Sequence, residues 1–445
     1  MTSRNAIISI VLVTNAFVWY FFVSEILKDI VGTSQIDQTM ALLIWASHFV
    51  AIAVSVLVGA SLTKRKKDRT NFLCLWMVLG TIASFASMAL DLAFPPNIVM
   101  ISIILGVTFG IGMPCCIGYF AESVDIGNRG RFGGLILFLS GVGMVLLGII
   151  AGDSIGNQIF TLSLWRAFGL VSFALFSYLG KSAKLSSVSS GKSISYRSLL
   201  HQRPFILYLV PWVMFSLITY LTTPLQLNIQ NEIFGKNTIG FLTSIGNIVL
   251  AVSAAIAGFM SDIVGRKRMA IVGFVLLGLG YSVLGIYPME LLSWYFRTTV
   301  DAIAWGILLV LFVATLWGDI SQDAPSDKHY AIGVLPFFIS KFLQLIAGSE
   351  ITAAIPATSI FSFTAFFLFL AVLPLVYAPE TLPEKLVKER ELKTYLEKAQ
   401  QIAAKNQKKK EGSKECENKD EDETVEFQVI QEDDEKAREL AEKYY

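Results

Sequence analysis

The stretch Gly258-Phe-Met-Ser-Asp262-Ile-Val-Gly265-Arg266-Lys267-Arg268 is a short basic turn, bounded by glycines and set between two long apolar runs. Each element has a physical reason. Gly258 lets two helices approach closely just before the turn. Asp262 can cap a helix end or accept hydrogen bonds from basic neighbours. Gly265 opens a backbone conformation closed to other residues. Arg266, Lys267 and Arg268 hold the turn on the cytoplasmic side of a bilayer.

The surrounding composition requires a bilayer. The chain has 445 residues, 54% of them hydrophobic and 16% charged, with a mean hydropathy of +0.60. Soluble domains carry about 25% charged residues. The first apolar run lacks a cleavage site and reads as a retained helix. The net charge of +1 gives no footprint for nucleic acid. Cys74, Cys115, Cys116 and Cys416 have neither a disulfide framework nor metal-ligand spacing, and the histidines are scattered. Gly106, Gly110 and Gly112 lie inside an apolar run, so they read as packing glycines and not as a nucleotide fingerprint. No nucleophile–base pair, metal cluster or phosphate loop is visible. The reading is a protein without enzymatic activity, cofactor or metal.

Crossing hydrocarbon takes about 20 apolar residues in helical form. Twelve such runs lie near 5–27, 39–62, 71–92, 97–120, 133–151, 164–181, 204–227, 238–260, 269–287, 291–318, 331–351 and 359–378. Basic residues mark alternate loops. Lys64 to Arg69 follow the second run, Arg129 and Arg131 the fourth, Lys181 to Arg203 the sixth, and Arg266 to Arg268 the eighth. Both termini are therefore expected in the cytoplasm. The polar stretch 182–203 divides the chain into an N-terminal six-helix bundle, 1–181, and a C-terminal one, 204–382. A charged cytoplasmic tail, 383–445, follows. Its 384–414 portion is basic and suits anionic lipid headgroups, and the remainder is acidic and solvated.

The loop from Gly258 to Arg268 resembles the signature of the major facilitator superfamily, membrane transporters of twelve helices in two bundles. Ile263 replaces the second residue of that signature's Asp-Arg pair. A faint repeat supports the resemblance. Gly59 to Arg69 occupies the slot of Gly258 to Arg268, with Thr63 at the acidic position and a lysine at the second glycine. Glu122 followed by Arg129-Gly-Arg131 is matched by Asp319 followed by Lys328. That segment and Pro379-Glu380-Thr381 resemble the sugar-porter branch. The branch's Gln-Gln in helix 7 and Gly-Pro-x-x-Trp in helix 10 are missing, so no subfamily is assigned. The drug-antiporter marks, Gly-Pro in helix 5 and an arginine in helix 4, are missing too. The resemblance implies that Asp262 meets the start of helix 5, at Phe132, Gly133 and Gly134, when the cytoplasmic side is closed. Glu122, Arg129, Arg131 and Asp319 would form a charge relay at that end.

Ionisable groups at membrane depth need partners or a wet cavity. Asp301 lies about ten residues into the tenth run, and Lys341 lies near the middle of the eleventh. Their depths match at about 1.5 Å per residue, so a contact or water bridge between them is expected. The pair either binds substrate and couples protons or only locks two helices. His48 is a second candidate proton carrier or a packing residue. Asn15 and Asn247 are single amides that bond either a solute or a neighbouring helix. Tyr220 and Gln226 flank Pro224, where the helical ladder is expected to break near the outer mouth.

The functional reading is a monomeric secondary transporter in the cell membrane. It moves a small polar organic solute, such as a sugar or organic acid, by alternating access with proton coupling. The rivals are a multidrug-type proton antiporter and a transporter-like sensor signalling through its tail.

Overall fold

The computed structural model describes residues 3–33, 36–62, 66–179, 194–234, 236–321, 324–354 and 356–382. The signature-loop positions around Thr63, most of the central stretch and the whole charged tail lie outside them. Residues Met1–Val387 form one compact unit. Among the described residues there are helices and no strands.

Among the described residues, twelve long helices carry the fold. They are α1 (Ser3–Thr33), α2 (Gln38–Leu62), α3 (Lys66–Met88), α4 (Pro95–Ser123), α5 (Arg129–Ala151) and α6 (Ile155–Leu179), then α7 (Arg203–Ile233), α8 (Lys236–Val264) and α9 (Arg266–Ile286). The last three are α10 (Leu291–Ser321), α11 (Asp327–Ala354) and α12 (Ala357–Tyr377). All but α11 meet a spanning criterion of length and hydropathy over their described residues. Large apolar side chains such as Ile149, Phe168, Ile256 and Phe366 point outward. Water would penalise such a surface, whereas lipid accepts it.

In the first bundle α1 packs on α4, α5 and α6, and α3 on α4 and α6. In the second, α7 packs on α11 and α12, α9 on α10 and α12, and α8 on α10. The bundles meet where α5 crosses α8 and α2 crosses α11. Missing side chains let backbones touch at these crossings. A Cβ on Gly134 would strike the Ala254 carbonyl oxygen, and one on Gly258 the Gly130 carbonyl oxygen. Gly110 lies equally tight against Ser55 and Ile52 of α2, which fits its reading as a packing residue.

Three local expectations change. The polar stretch 152–163 is mostly helix, because α6 begins at Ile155. Gln158 there donates to Asp29 Oδ2 at 2.9 Å, and Ile159 and Leu162 are buried, so its first turns are anchored. Pro224 does not end α7, which continues to Ile233. The hydroxyls of Thr222 and Thr223 donate to the carbonyls of Ile218 and Thr219 in the turn before the proline. Finally, α10 contains a π-helical segment, Val310–Thr315. Insertions of this kind re-aim the residues after them, here Trp317 and Asp319.

A Gly110→Val variant is expected to unfold about 5 °C below the parent in a thermal melt of purified protein, because a branched side chain over-packs the α2–α4 crossing. Gly148→Ala, with nothing within 4 Å of the new carbon, should melt like the parent.

Candidate functional site: a charge-locked end and an aromatic seam

Asp262 closes the last turn of α8 and is fully buried. Its Oδ1 accepts from the Gly130 N–H at 2.9 Å, and its Oδ2 accepts from the Arg131 N–H at 2.8 Å. These amides open α5 in the other bundle, where N–H groups have no helical partner. The macrodipole adds attraction of about 0.3–1 kcal/mol at exposed sites and up to about 2 kcal/mol in partly buried ones. The contact falls on the two residues just before the expected Phe132, Gly133 and Gly134. The reason is the true start of α5 at Arg129, which shifts the free amides.

Arg266 follows Gly265, whose φ of 106° lies in the left-handed region. The sharp turn sends its guanidinium back under the helix. Nη1 donates to Asp262 at 2.6 Å, Nε to Asp319 at 3.1 Å, and Nη2 to the Ile126 carbonyl at 3.0 Å. Asp319 also binds Arg129 of the first bundle. Arg131 lies over Phe259, with Nε 3.7 Å from Asp262. Glu380 supplies an unexpected part. Its carboxylate accepts from the backbone N–H groups of Arg266 at 2.8 Å and Lys267 at 3.2 Å, capping α9. Lys267 Nζ donates to the Val376 carbonyl at 2.7 Å, tying α9 to α12.

Glu122 belongs to a second cluster at the same end. Arg69 opens α3, donates to Glu122 at 2.6 Å, and also binds Asp327 at the start of α11. Each bundle thus places an arginine at a helix start and an acid at a neighbouring helix end, and reaches one charged group across the interface. That third member is cationic in one cluster, Arg129, and anionic in the other, Asp327.

Deeper in the fold, Asp301 does not pair with Lys341. Its partner is Arg297, one turn earlier on α10, at 3.3 Å. The depth count compared two helices and overlooked an arginine four residues away on the same face. The approach suits charge attraction, but Asp301 Oδ1 accepts no hydrogen bond. Arg297 also donates to the Tyr281 hydroxyl at 3.1 Å, and Gln226 donates to that hydroxyl at 2.8 Å. Lys341 instead lies over the Tyr220 ring, 4.6 Å from its centre.

The first bundle holds its own buried cation, Arg166, which the sequence reading did not single out. It donates to Asn15 Oδ1 at 3.1 Å and stacks against Trp19 and Trp76. Asn15 also donates to the Trp165 carbonyl, so this amide joins α1 to α6. His48 is buried, with Nδ1 2.8 Å from the Ser102 carbonyl and Nε2 without a partner. Asn247 is exposed on α8.

The bundle interface between these groups is aromatic. Tyr20 stacks on Phe109 at 4.2 Å, and both reach Phe338 of α11, at 5.9 and 6.4 Å. Phe338 meets Phe337 at 5.6 Å, and Phe337 meets Tyr220 at 5.3 Å.

Comparison with known proteins identifies the architecture. No family model and no curated protein matches the sequence. Among solved structures, the proton:xylose symporter XylE bound to 6-bromo-6-deoxy-D-glucose aligns with a TM-score of 0.62 and 17% identity, over 85% of this chain and 96% of that one. The human organic anion transporter MFSD10 aligns with a TM-score of 0.61 and 14% identity, over 84% and 99%. A partially occluded inward-open form of the xylose transporter XylE from E. coli aligns with a TM-score of 0.56 and 16% identity, over 85% and 99%. At these identities the likeness is one of fold.

Removing a shared acid should be costly, because Arg129 loses its one carboxylate and Arg266 is left with Asp262 alone. Asp319→Asn is expected to destabilise the purified protein by about 3–5 kcal/mol in denaturant or thermal unfolding. Thr381→Ala, whose hydroxyl only skirts Asp319 at 3.5 Å, should change stability little.

Proposed function

We propose that this chain, which has the major facilitator fold of twelve helices in two bundles, is a membrane transporter working by alternating access. The observation that carries the reading is the carboxylate of Asp262 on the amides of Gly130 and Arg131, a contact between bundles confined to one end. The Arg129–Asp319 and Arg69–Asp327 pairs also join the bundles there. Alternating access needs contacts that exist in one state and vanish in the other. The positive-inside rule puts this end in the cytoplasm, so the described state is closed on that side.

The solute is a small polar organic molecule, and protons are the coupling ion. Asp301 suits the coupling role. It is a carboxylate at membrane depth, attracted to Arg297 yet without a hydrogen bond to hold it ionised. Proton uptake would release Arg297 to Tyr281 and Gln226, which link α10 to α9 and α7.

Two measurements test this reading. Asp262→Ala should favour the form open at the charged end, seen as faster alkylation of Cys115, which is buried beside Arg69. Unchanged alkylation would remove Asp262 from gating. In proteoliposomes holding a pH-sensitive dye, solute-dependent proton movement should appear with the parent and vanish with Asp301→Asn. Full coupling in that variant would remove Asp301 from the proton path.

A further inference from the structure

Lys341 brings a positive charge into the seam between the bundles. It lies about one turn beyond Phe337 and Phe338 on the same face of α11. Its ammonium stands over the Tyr220 ring of α7. Among the described residues no acid is within ion-pair distance. The charges that act on it are Glu25 and Lys28 of α1, and these two pair with each other at 3.2 Å.

The other cations at membrane depth are already occupied. Arg297 has Asp301 and Tyr281, and Arg166 has Asn15 and two tryptophans. An aromatic face is a weaker partner for an ammonium than a hydrogen-bonded anion. Lys341 is therefore the one described intramembrane cation still able to gain a strong partner. The amides nominated for a polyol are mostly engaged. Asn15 is held by Arg166 and Trp165, and Gln226 by Thr222 and Tyr281. A neutral sugar would find few free donors here. An anion with an apolar body would meet a free cation and a wall of Tyr220, Phe337, Phe338, Tyr20 and Phe109.

We propose that Lys341 anchors a site for a monoanionic, amphipathic organic acid, a carboxylate or sulfonate whose hydrocarbon body lies on the aromatic seam. The proposal rests on the transporter reading, because it takes the bundle interface as the solute path.

The test uses the full chain, purified, with p-toluenesulfonate as the probe and p-toluenesulfonamide as its uncharged counterpart. Saturable thermal stabilisation by the sulfonate and none by the sulfonamide is expected. Lys341→Gln should weaken the apparent affinity on the order of tenfold or more, and Lys341→Arg should preserve it. Glu25→Gln should bind like the parent. Equal binding of the sulfonamide, full binding by Lys341→Gln, or no saturable binding of p-toluenesulfonate, benzoate and octanesulfonate would each overturn the site. So would loss of binding in Glu25→Gln equal to that in Lys341→Gln, which would make the lysine part of a pairing with α1. Counterflow of labelled solute in proteoliposomes separates this idea from the transporter reading. Anion binding without counterflow of any solute keeps the site and sinks transport. Counterflow of a neutral solute, unaffected by Lys341→Gln and without anion binding, does the reverse.

Discussion

The carboxylate of Asp262 holds the charged end of this molecule together. It is buried at the tip of α8, where an unanswered charge would be untenable. Two backbone amides of α5 and the guanidinium of Arg266 answer it at once. That requirement fixes much else. Gly258 and Gly134 must be bare for α8 to come near enough to α5, and Gly265 must turn sharply for Arg266 to fold back. Arg266 in turn recruits Asp319, and Asp319 recruits Arg129.

The same arrangement explains how such a lock can open. Each central charge of the clusters has at least one partner in its own bundle besides those across the interface. Asp262 and Asp319 have Arg266, Arg69 has Glu122, and Arg129 has the Ala121 carbonyl. Parting the bundles removes the partners across the interface and leaves the others. A buried ion stripped of every partner costs several kcal/mol. An ion that keeps one costs less, so two states of similar free energy become accessible. The aromatic seam supports this economy, because ring contacts between Tyr20, Phe109 and Phe338 have no directional bond to break.

Much of this was legible in the chain itself. The helices and the tight turn at Gly265 followed from apolar length and glycine placement. Partners at depth were not. Asp301 and Lys341 share a depth, but side-chain pairing depends on helix rotation, which a count along the axis does not carry. Arg297, four residues before Asp301, was the readable clue. Arg166 was hidden differently. Its partners Trp19 and Trp76 look like ordinary packing residues, and Asn15 lies far away in sequence. Pro224 misled because a proline within a long apolar helix need not end it, and α7 runs on to Ile233. The start of α5 was set late because Arg129 and Arg131 read as loop charges rather than as first-turn residues.

The solitary ammonium of Lys341 also has an electrical consequence. A group about halfway along a spanning helix sits within the field of any membrane voltage. Moving one elementary charge through the full field is worth about 2.3 kcal/mol per 100 mV. With the proposed site empty, Lys341 adds one positive charge to the seam, since the Asp301–Arg297 pair sums to zero and Arg166 belongs to the first bundle's own core. A monoanion bound there would balance the charge of Lys341. Under the proposed transport reading, voltage would act more strongly on the empty protein than on the loaded one.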